Sequence, residues 1–323
     1  MSSSRKVLVT GGTGFVGRAV LARLVTRAEL RVLAWTRRAD AVLPAGVVPV
    51  PLSHNRMFAA GAEVEGLHTV VHCAARVHVM NDEVPDPLAE FRRVNVEMTL
   101  DLARSAVELG ARRFIFISSI KVNGETTQPG YPFTAFDTPQ PCGAYALSKH
   151  EAEAGLREIA EQAGLEVVII RTPLVYGPGV GANFRSMMRW LAAGIPLPLG
   201  ALDNRRSLVA LDNLVDLIDT CLDHPAAANQ TLLVSDGEDM STSELLRRLG
   251  MALGRPARLL PVPGHWIGLA ARLLRREAIH ARLCDSLQVD IERTRELLGW
   301  SPPVRVDDAL RRTALDYLQR RQA

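Results

Sequence analysis

Gly11, Gly14 and Gly17 stand three residues apart between two contrasting stretches near the start of the sequence. Residues 6–10 are mostly apolar and β-branched, which indicates a strand, whereas residues 14–28 have the apolar spacing of a helix. Glycine permits a tight turn and lets a pyrophosphate approach the backbone, and free N–H groups at a helix start attract that anion. The turn therefore predicts a dinucleotide-binding site, with a merely structural turn as the alternative.

The first half of the chain alternates short apolar runs with longer helical patterns. Further strands are predicted at 30–35, 47–52, 68–73, 113–118 and 166–171, and helices at 88–109 and 145–163. Strands that are apolar throughout and separated by helices form parallel sheets covered on both faces. Right-handed crossovers then make the sheet doubly wound, so we predict an α/β fold of Rossmann type.

The sequence changes character after Arg171, where proline and glycine become frequent. Shorter helices are predicted at 183–193, 211–222, 242–253 and 266–274, with an isolated strand at 231–235 and a last helix at 306–318 before a frayed basic tail. We therefore expect a dinucleotide-binding domain over residues 1–172 and a smaller substrate-binding lobe over residues 173–323. Some strands and helices of the second half are expected to return to the first domain.

The composition excludes several classes of protein. The 323 residues include 38 basic and 35 acidic side chains, and a net charge of +3 with 5% aromatic residues argues against a nucleic-acid partner. A chain of this length buries enough surface to fold without a metal or disulfides. The histidines lack the spacing of a metal site, so no metal is expected.

No apolar leader follows the N-terminal residues, and the four cysteines are scattered. We therefore expect reduced thiols, a cytoplasmic location and no membrane span. Residues 266–283 come closest to a membrane segment, but several arginines and Glu277 interrupt them. A basic interfacial helix is the alternative to an ordinary surface helix there.

The residues after the second predicted strand bear on the choice of cofactor. An NAD site usually places a carboxylate about 20 residues past the glycines to bind the ribose. Here Thr36 lies 19 residues after Gly17 and is followed by Arg37 and Arg38, with no carboxylate. Guanidinium groups suit a 2′-phosphate. We therefore expect NADP(H) to be preferred and NAD(H) to be accepted, unless the two arginines are simply solvated.

Tyr145 and Lys149 lie four residues apart, on one face of a predicted helix. Ser118 and Ser119 end a predicted strand 26–27 residues earlier. Side chains at these positions can converge at the carboxyl edge of a parallel sheet, where doubly wound folds bind ligands. The pair alone carries little weight, but this placement makes it a candidate for proton transfer.

Taken together, these residues resemble the extended short-chain dehydrogenase/reductases that act on nucleotide sugars, the NAD(P)-dependent epimerase/dehydratase family. The resemblance spans nearly the whole chain and is closest to a UDP-glucose 4-epimerase-like subgroup that includes 4-ketoreductases forming UDP-N-acetylquinovosamine. The matching positions are 10–17, 71–75, Asn95, 118–119, 145–149, Arg171, 175–179, Arg205, Asp212 and 298–302.

The resemblance implies a catalytic set of Ser119, Tyr145 and Lys149. Tyr145 would be the acid/base, Lys149 would lower its pKa and hold the nicotinamide ribose, and Ser119 would hydrogen-bond the reacting sugar oxygen. Asn95 resembles the family's structural asparagine beneath the active site. The implied cofactor contacts are Gly11, Gly14, Phe15, Val16, Gly17, Thr36, Arg37, Ala74, Ala75, Tyr145 and Lys149. The implied substrate contacts are His78, Ser118, Asn183, Arg205 and Arg282.

The family epimerises, dehydrates or reduces its substrates. The acidic pair typical of dehydratases is missing beside Ser119 and before Tyr145, which disfavours dehydration. The arginines at the ribose position favour an enzyme that exchanges NADPH. We therefore expect reduction of a UDP-4-keto-6-deoxy-N-acetylhexosamine, of UDP-N-acetylquinovosamine type, during synthesis of surface polysaccharide (O-antigen) precursors.

Two other functions stay open at this point. A 4-epimerase of UDP-glucose or UDP-N-acetylglucosamine would keep NAD bound and need none added. A non-catalytic NADP-sensing protein is the minor alternative, because such proteins usually lose Tyr145 or Lys149. In each case a UDP-sugar or a dinucleotide is the expected partner, and a homodimer is the expected assembly.

Overall fold

The computed structural model describes residues 4–37, 40–51, 63–77, 86–274 and 277–322; the side chains of residues 277–279, 282 and 322 lie outside this description. Its centre is a sheet of seven parallel strands in the order β3-β2-β1-β4-β5-β6-β9. These strands are β1 (Arg5–Thr10), β2 (Leu30–Thr36), β3 (Val48–Pro51), β4 (Leu67–His72), β5 (Arg113–Ser119), β6 (Glu166–Thr172) and β9 (Thr231–Leu233). A separate pair joins β7 (Leu174–Tyr176) to β8 (Leu208–Ala210).

Helices cover both faces of the sheet. The helices of the first half are α1 (Phe15–Leu24), α2 (Pro87–Arg92), α3 (Met98–Glu108) and α4 (Gly143–Ala163). The later ones are α5 (Ala182–Ala192), α6 (Leu211–Asp223), α7 (Thr242–Ala252), α8 (Gly264–Leu273), α9 (Glu277–Cys284), α10 (Glu292–Leu298) and α11 (Val306–Gln322).

Alternate residues of the strands supply two separate cores. Val7 and Val9 pack under α1 and α6, whereas Leu8 packs on the other face with α3 and α4. A third cluster joins α5, α7 and α11 in the second half. The predicted Rossmann-type architecture is therefore confirmed, because the sheet is parallel and its central strands β1, β4, β5 and β6 are buried on both sides.

The strand predicted as isolated at 231–235 is instead β9, the seventh strand of the main sheet, parallel to β6. Helix α6 also returns to the first half, where Asp219 forms ion pairs with Arg23 and Arg27 of the α1 region. A local pattern cannot reveal such a return, because the pairing partner lies far away in sequence. The division at residue 172 stays a prediction.

The single helix predicted at 88–109 is interrupted. A π-helical segment, Arg93–Glu97, joins α2 to α3 and turns Asn95 into the interior, where it is 1% exposed. The frayed tail predicted after residue 318 is also wrong, because α11 continues to Gln322. An ion pair between Asp316 and Arg320, four residues apart, stabilises its last turns.

Candidate active site

The glycine turn connects β1 to α1 at the carboxyl edge of the sheet. Gly11 has a φ of +68°, and a Cβ atom there would stand 2.8 Å from the backbone nitrogen of Ala74. A Cβ atom at Gly17 would stand 2.3 Å from the Gly11 carbonyl oxygen. Only glycine therefore allows the turn, α1 and the loop after β4 to approach this closely.

The start of α1 is open to an anion. Gly14 is its N-cap residue, and no side chain caps the first turn. The N–H groups of Phe15 and Val16 therefore have no intrahelical acceptor and lie at the positive end of the helix dipole. The loop holding Ala74 and Ala75 packs beside this turn, with the Ala74 N–H donating to Thr10 Oγ1 at 3.2 Å. The arrangement fits a pyrophosphate.

The end of β2 provides a second feature that fits a dinucleotide. Thr36 is 5% exposed, and its Oγ1 has no hydrogen-bond partner among the described residues. A buried hydroxyl without a partner is costly, and a ribose hydroxyl would satisfy it. Arg37 is exposed and forms no ion pair within the described part of the chain. Arg38 lies outside the described residues.

Tyr145, in the first turn of α4, meets Ser119 from the end of β5. The Ser119 side chain lies within hydrogen-bonding reach of the Tyr145 phenol and lowers its pKa, but burial raises that pKa more strongly. Ser119 Oγ also accepts a hydrogen bond from the Lys121 N–H at 3.3 Å. The structure therefore joins the predicted serine and tyrosine, and leaves the phenol protonated at neutral pH.

Lys149 lies one helical turn after Tyr145 and is 2% exposed. Its Nζ lies 4.0 Å from the centre of the Phe116 ring. Burial lowers the pKa of Lys149 to about 7, although the Glu153 carboxylate raises it in part. In this structure the Tyr145 pKa responds to burial and to Ser119, with the Lys149 ammonium against Phe116, and the lowering of that pKa by Lys149 stays a prediction.

Ser118 was predicted to contact substrate, but its hydroxyl is used inside the protein. It donates to Glu153 Oε1 at 2.6 Å, and Glu153 is also held by two nitrogen atoms of Arg171. Arg171 Nη1 in turn donates to Asn123 Oδ1 at 2.9 Å. Because neighbouring residues of a strand point to opposite faces, Ser118 faces this buried network while Ser119 faces Tyr145.

Asn95 supports α4 from below, as the resemblance implied. Its Nδ2 donates to Ser148 Oγ at 3.0 Å and to the Arg76 carbonyl oxygen, and its Oδ1 accepts from the Arg76 N–H. Ser148 lies directly before Lys149 in the chain. The π-helical segment therefore fixes both the loop after β4 and helix α4, which carries Tyr145 and Lys149.

His72 is a buried structural residue. Burial lowers the pKa of its imidazole to about 3, and its ring nitrogens contact the hydroxyls of Thr10 at 2.7 Å and Thr99 at 3.0 Å. Thr99 donates its own proton to the Asn95 carbonyl oxygen, so the histidine Nε2 donates to Thr99. In the described part of the chain, no three His, Cys, Asp or Glu side chains are grouped to hold a metal.

Of the remaining predicted substrate contacts, the structure describes the side chains of two. Asn183 is exposed in the first turn of α5, and Arg205 is exposed, with its N–H donating to Ser286 Oγ at 3.0 Å. The neighbouring Arg206, which sequence reasoning passed over, is partly buried and donates to the Asp285 carbonyl oxygen at 2.8 Å. Spacing alone cannot distinguish two adjacent arginines. His78 and the Arg282 side chain lie outside the described residues.

Residues 7–234 match the NAD dependent epimerase/dehydratase family. The chain belongs to this family. It is therefore an enzyme of the class predicted from its motifs, and the resemblance to nucleotide-sugar epimerases is confirmed. It is 45% identical, over 98% of its length and 96% of the relative's, to UDP-glucose 4-epimerase from Vibrio cholerae.

Solved structures of related proteins share the fold. UDP-glucuronic acid 4-epimerase from Bacillus cereus in complex with NAD superposes with a TM-score of 0.76, at 17% identity, over 97% of this chain and 96% of that one. RMD from Pseudomonas aeruginosa complexed with NADPH gives a TM-score of 0.71 at 21% identity, over 97% and 99% of the two chains. Both superpositions extend over the second half as well as the main sheet.

Among the described residues, none of the helices combines the length and apolar character that crossing a bilayer requires. The four cysteines, Cys73, Cys142, Cys221 and Cys284, are all unpaired.

Proposed function

We propose that this protein is a UDP-sugar 4-epimerase in which Tyr145 moves the proton of the sugar O4. The observation that carries the proposal is the contact between Tyr145 and Ser119 beside Lys149, at the sheet edge that also holds the glycine turn. The relative from Vibrio cholerae, 45% identical over almost the full length of both chains, supports epimerase as the reaction. This reverses the order of the two reactions expected from the sequence.

In the proposed reaction, one group of residues would bind the cofactor and another would act on the sugar. The uncapped start of α1 and the hydroxyl of Thr36 would hold the dinucleotide, which supplies a hydride acceptor that can return the hydride. Tyr145 would accept the O4 proton as the sugar is oxidised and return it on reduction, and Ser119 would donate to the same oxygen.

Lys149 would make the basic form of Tyr145 accessible. A protonated phenol can act as an acid, but sugar oxidation needs the phenolate. A cation one helical turn away stabilises a phenolate when its ammonium turns from Phe116 toward the phenol. With a pKa of about 7, Lys149 is present partly as the cation and partly as the neutral amine at neutral pH.

A second function has a specific observation in its favour. The end of β2 offers Thr36 and Arg37 where an NAD site usually carries a carboxylate. This favours NADPH, which suits reduction of a UDP-4-keto-6-deoxy-N-acetylhexosamine in surface polysaccharide synthesis. The NADP-sensing alternative has less support, because Tyr145 and Lys149 are both present at the site.

One experiment separates the two reactions. The purified protein is incubated with UDP-glucose or UDP-N-acetylglucosamine without added cofactor, and the products are identified by NMR. An epimerase converts part of the substrate to the C4 epimer, whereas Tyr145→Phe does not. Parallel incubations contain a UDP-4-keto-6-deoxy-N-acetylhexosamine and NADPH. NADPH consumption equal to product formed, with no epimer from either UDP-sugar, would replace epimerase by reductase.

The expected cytoplasmic location, the homodimer and the role in polysaccharide synthesis stay predictions. Cellular location, assembly and the wider pathway do not follow from the arrangement of residues around Tyr145.

A further inference from the structure

Helix α8, in the second half of the chain, has no buried residue although most of its side chains are apolar. Trp266, Leu269 and Leu273 are 58%, 50% and 78% exposed, and Leu274 directly after the helix is 69% exposed. At about 100° per residue, Trp266, Leu269 and Leu273 fall within one narrow arc of the helix. Together these three side chains form an apolar stripe.

The rest of the helix surface already has partners. Ile267 packs against the third hydrophobic cluster. On the far side from the stripe, the Nε2 atom of His280 in α9 lies 3.1 Å from the position that a Cβ atom at Gly268 would occupy. Helix α8 is therefore attached to the protein by one side while the apolar stripe faces away.

The segment that carries the stripe is strongly basic. Residues 255–282 contain six arginines and a single acidic residue, Glu277. Of these arginines, Arg255, Arg258 and Arg272 are exposed in the structure. Helix α8 itself has no acidic residue. The arginines would bind a negatively charged surface, and the apolar stripe would enter an apolar layer that lies directly below that surface.

A second copy of the chain fits this surface poorly. A two-fold contact through the stripe would bring the same arginines face to face across the interface, where like charges repel. Anionic lipid headgroups instead complement the arginines, and tryptophan and leucine favour the boundary between headgroups and acyl chains.

We propose that α8 docks on the surface of an anionic lipid bilayer, with Trp266, Leu269 and Leu273 entering the headgroup boundary and the exposed arginines Arg255, Arg258 and Arg272 near the lipid phosphates. The helix lies on the membrane and does not cross it. The proposal does not depend on which reaction the enzyme catalyses.

Vesicle sedimentation tests this directly. The full-length protein is mixed with vesicles of equimolar phosphatidylglycerol and phosphatidylcholine, or of phosphatidylcholine alone. We expect binding to the anionic vesicles that weakens in high salt, because surface electrostatics are screened. We expect the tryptophan emission to shift to shorter wavelength on binding, and Trp266→Phe to remove this shift.

Variants assign the binding to the stripe and its charge. Trp266→Ser/Leu269→Gln/Leu273→Gln should weaken partitioning by at least about tenfold, because it removes most of the apolar area that would enter the membrane. Arg272→Glu should weaken it by about tenfold, since it reverses one charge near the surface. The matched control is Leu315→Gln, which replaces an apolar side chain on α11 that is 51% exposed, and it should bind as the wild type does.

Three results would overturn the proposal. One is no binding of the wild type to the anionic vesicles, and another is equal binding of the triple variant. The third is light scattering that shows wild-type oligomers dissociated by the triple variant without lipid, since a second copy would then cover the stripe. Circular dichroism melting verifies that each variant is folded.

Discussion

Glu153 and Arg171 form a two-point ion pair in which neither side chain reaches the surface. Arg171 Nη2 donates to Glu153 Oε2 at 2.6 Å, and its Nε donates to Oε1 at 3.0 Å. The Glu153 side chain is 0% exposed and that of Arg171 2%. Glu153 lies one helical turn from Lys149 and two from Tyr145, and it also binds Ser118, the neighbour of Ser119. The pair therefore connects α4 to the ends of β5 and β6.

Glu153→Gln should shift the pH dependence of turnover. Burial lowers the pKa of Lys149 to about 7, and Glu153 and Cys73 oppose that effect. Removal of the carboxylate therefore lowers this pKa further, so the Lys149 cation is lost at lower pH. We expect the alkaline decline of kcat/KM to begin at lower pH than in the wild type.

The control for this shift is Glu151→Gln, on the same helix. Glu151 pairs with Arg92 at the surface and is not among the groups that shift the Lys149 pKa. An unchanged alkaline decline in Glu153→Gln would mean that Lys149 does not sense Glu153.

The same substitution should also destabilise the fold. The Arg171 guanidinium holds the pKa of Glu153 below its ordinary value despite burial. The pair therefore contributes stability at neutral pH that is lost as the pH falls through the folded-state pKa of Glu153. Removal of one partner leaves a buried charge, at a cost of about 3–5 kcal/mol in the free energy of unfolding. In urea denaturation at neutral pH, Glu153→Gln/Arg171→Met should recover part of that loss.

Tyr145→Phe should abolish turnover and leave cofactor affinity within a few-fold. The phenol holds the transferred proton, and general acid–base catalysis contributes about 10²–10⁴-fold. Tyr131→Phe is the control, because Tyr131 is 75% exposed. A Tyr145→Phe enzyme that retained more than about a tenth of the wild-type rate would exclude Tyr145 as the acid/base.

The sequence predicts best what local patterns determine. The first six strands of the sheet, the glycine turn and the helix of Tyr145 and Lys149 follow from apolar runs, glycine spacing and helical periodicity. The pairing of β9 with β6 and the small sheet of β7 and β8 depend on distant contacts that no local pattern records. The π-helical segment that buries Asn95 also has no local signal.

The candidate site also combines features that local sequence patterns predict with features that depend on distant contacts. Sequence spacing brings Ser119, Tyr145 and Lys149 to one sheet edge, as the structure does. It cannot show that the Ser118 hydroxyl turns away to Glu153, or that the Lys149 ammonium lies against Phe116. Those orientations are set by burial and by partners from other elements, and they decide which groups can reach a substrate.

Gly14→Val should remove cofactor binding while the fold survives. A Cβ atom at Gly14 would stand 3.1 Å from the Gly11 carbonyl oxygen, a contact that a small shift can relieve. The added side chain would occupy the open start of α1, where the pyrophosphate is expected. Isothermal titration calorimetry should detect no heat of cofactor binding.

Gly181→Val is the control, because Gly181 is the N-cap residue of α5 and a Cβ atom there would meet open space. Unchanged affinity in Gly14→Val would place the cofactor elsewhere.

Arg37→Ala tests the choice between the two dinucleotides. Arg37 is exposed beside the buried hydroxyl of Thr36, at the end of β2 where the adenosine ribose is expected. A guanidinium there can donate charge-assisted hydrogen bonds to a 2′-phosphate, each contributing about 1.5–3 kcal/mol before solvent screening. Because Arg37 is solvated, we expect only about a tenfold preference for NADPH in cofactor affinity, and Arg37→Ala should remove most of it.

The measurement is titration calorimetry with NADPH and NADH on the same preparation, from which any bound dinucleotide has first been removed, so it does not depend on which reaction the enzyme catalyses. Arg104→Ala is the control, because Arg104 is an exposed arginine on α3 that pairs with Asp101. Equal affinity for the two dinucleotides in the wild type would mean that Arg37 makes no contact to a 2′-phosphate. It would also remove the structural reason for considering a reductase, because an enzyme that retains NAD through each turnover needs no contact to a 2′-phosphate.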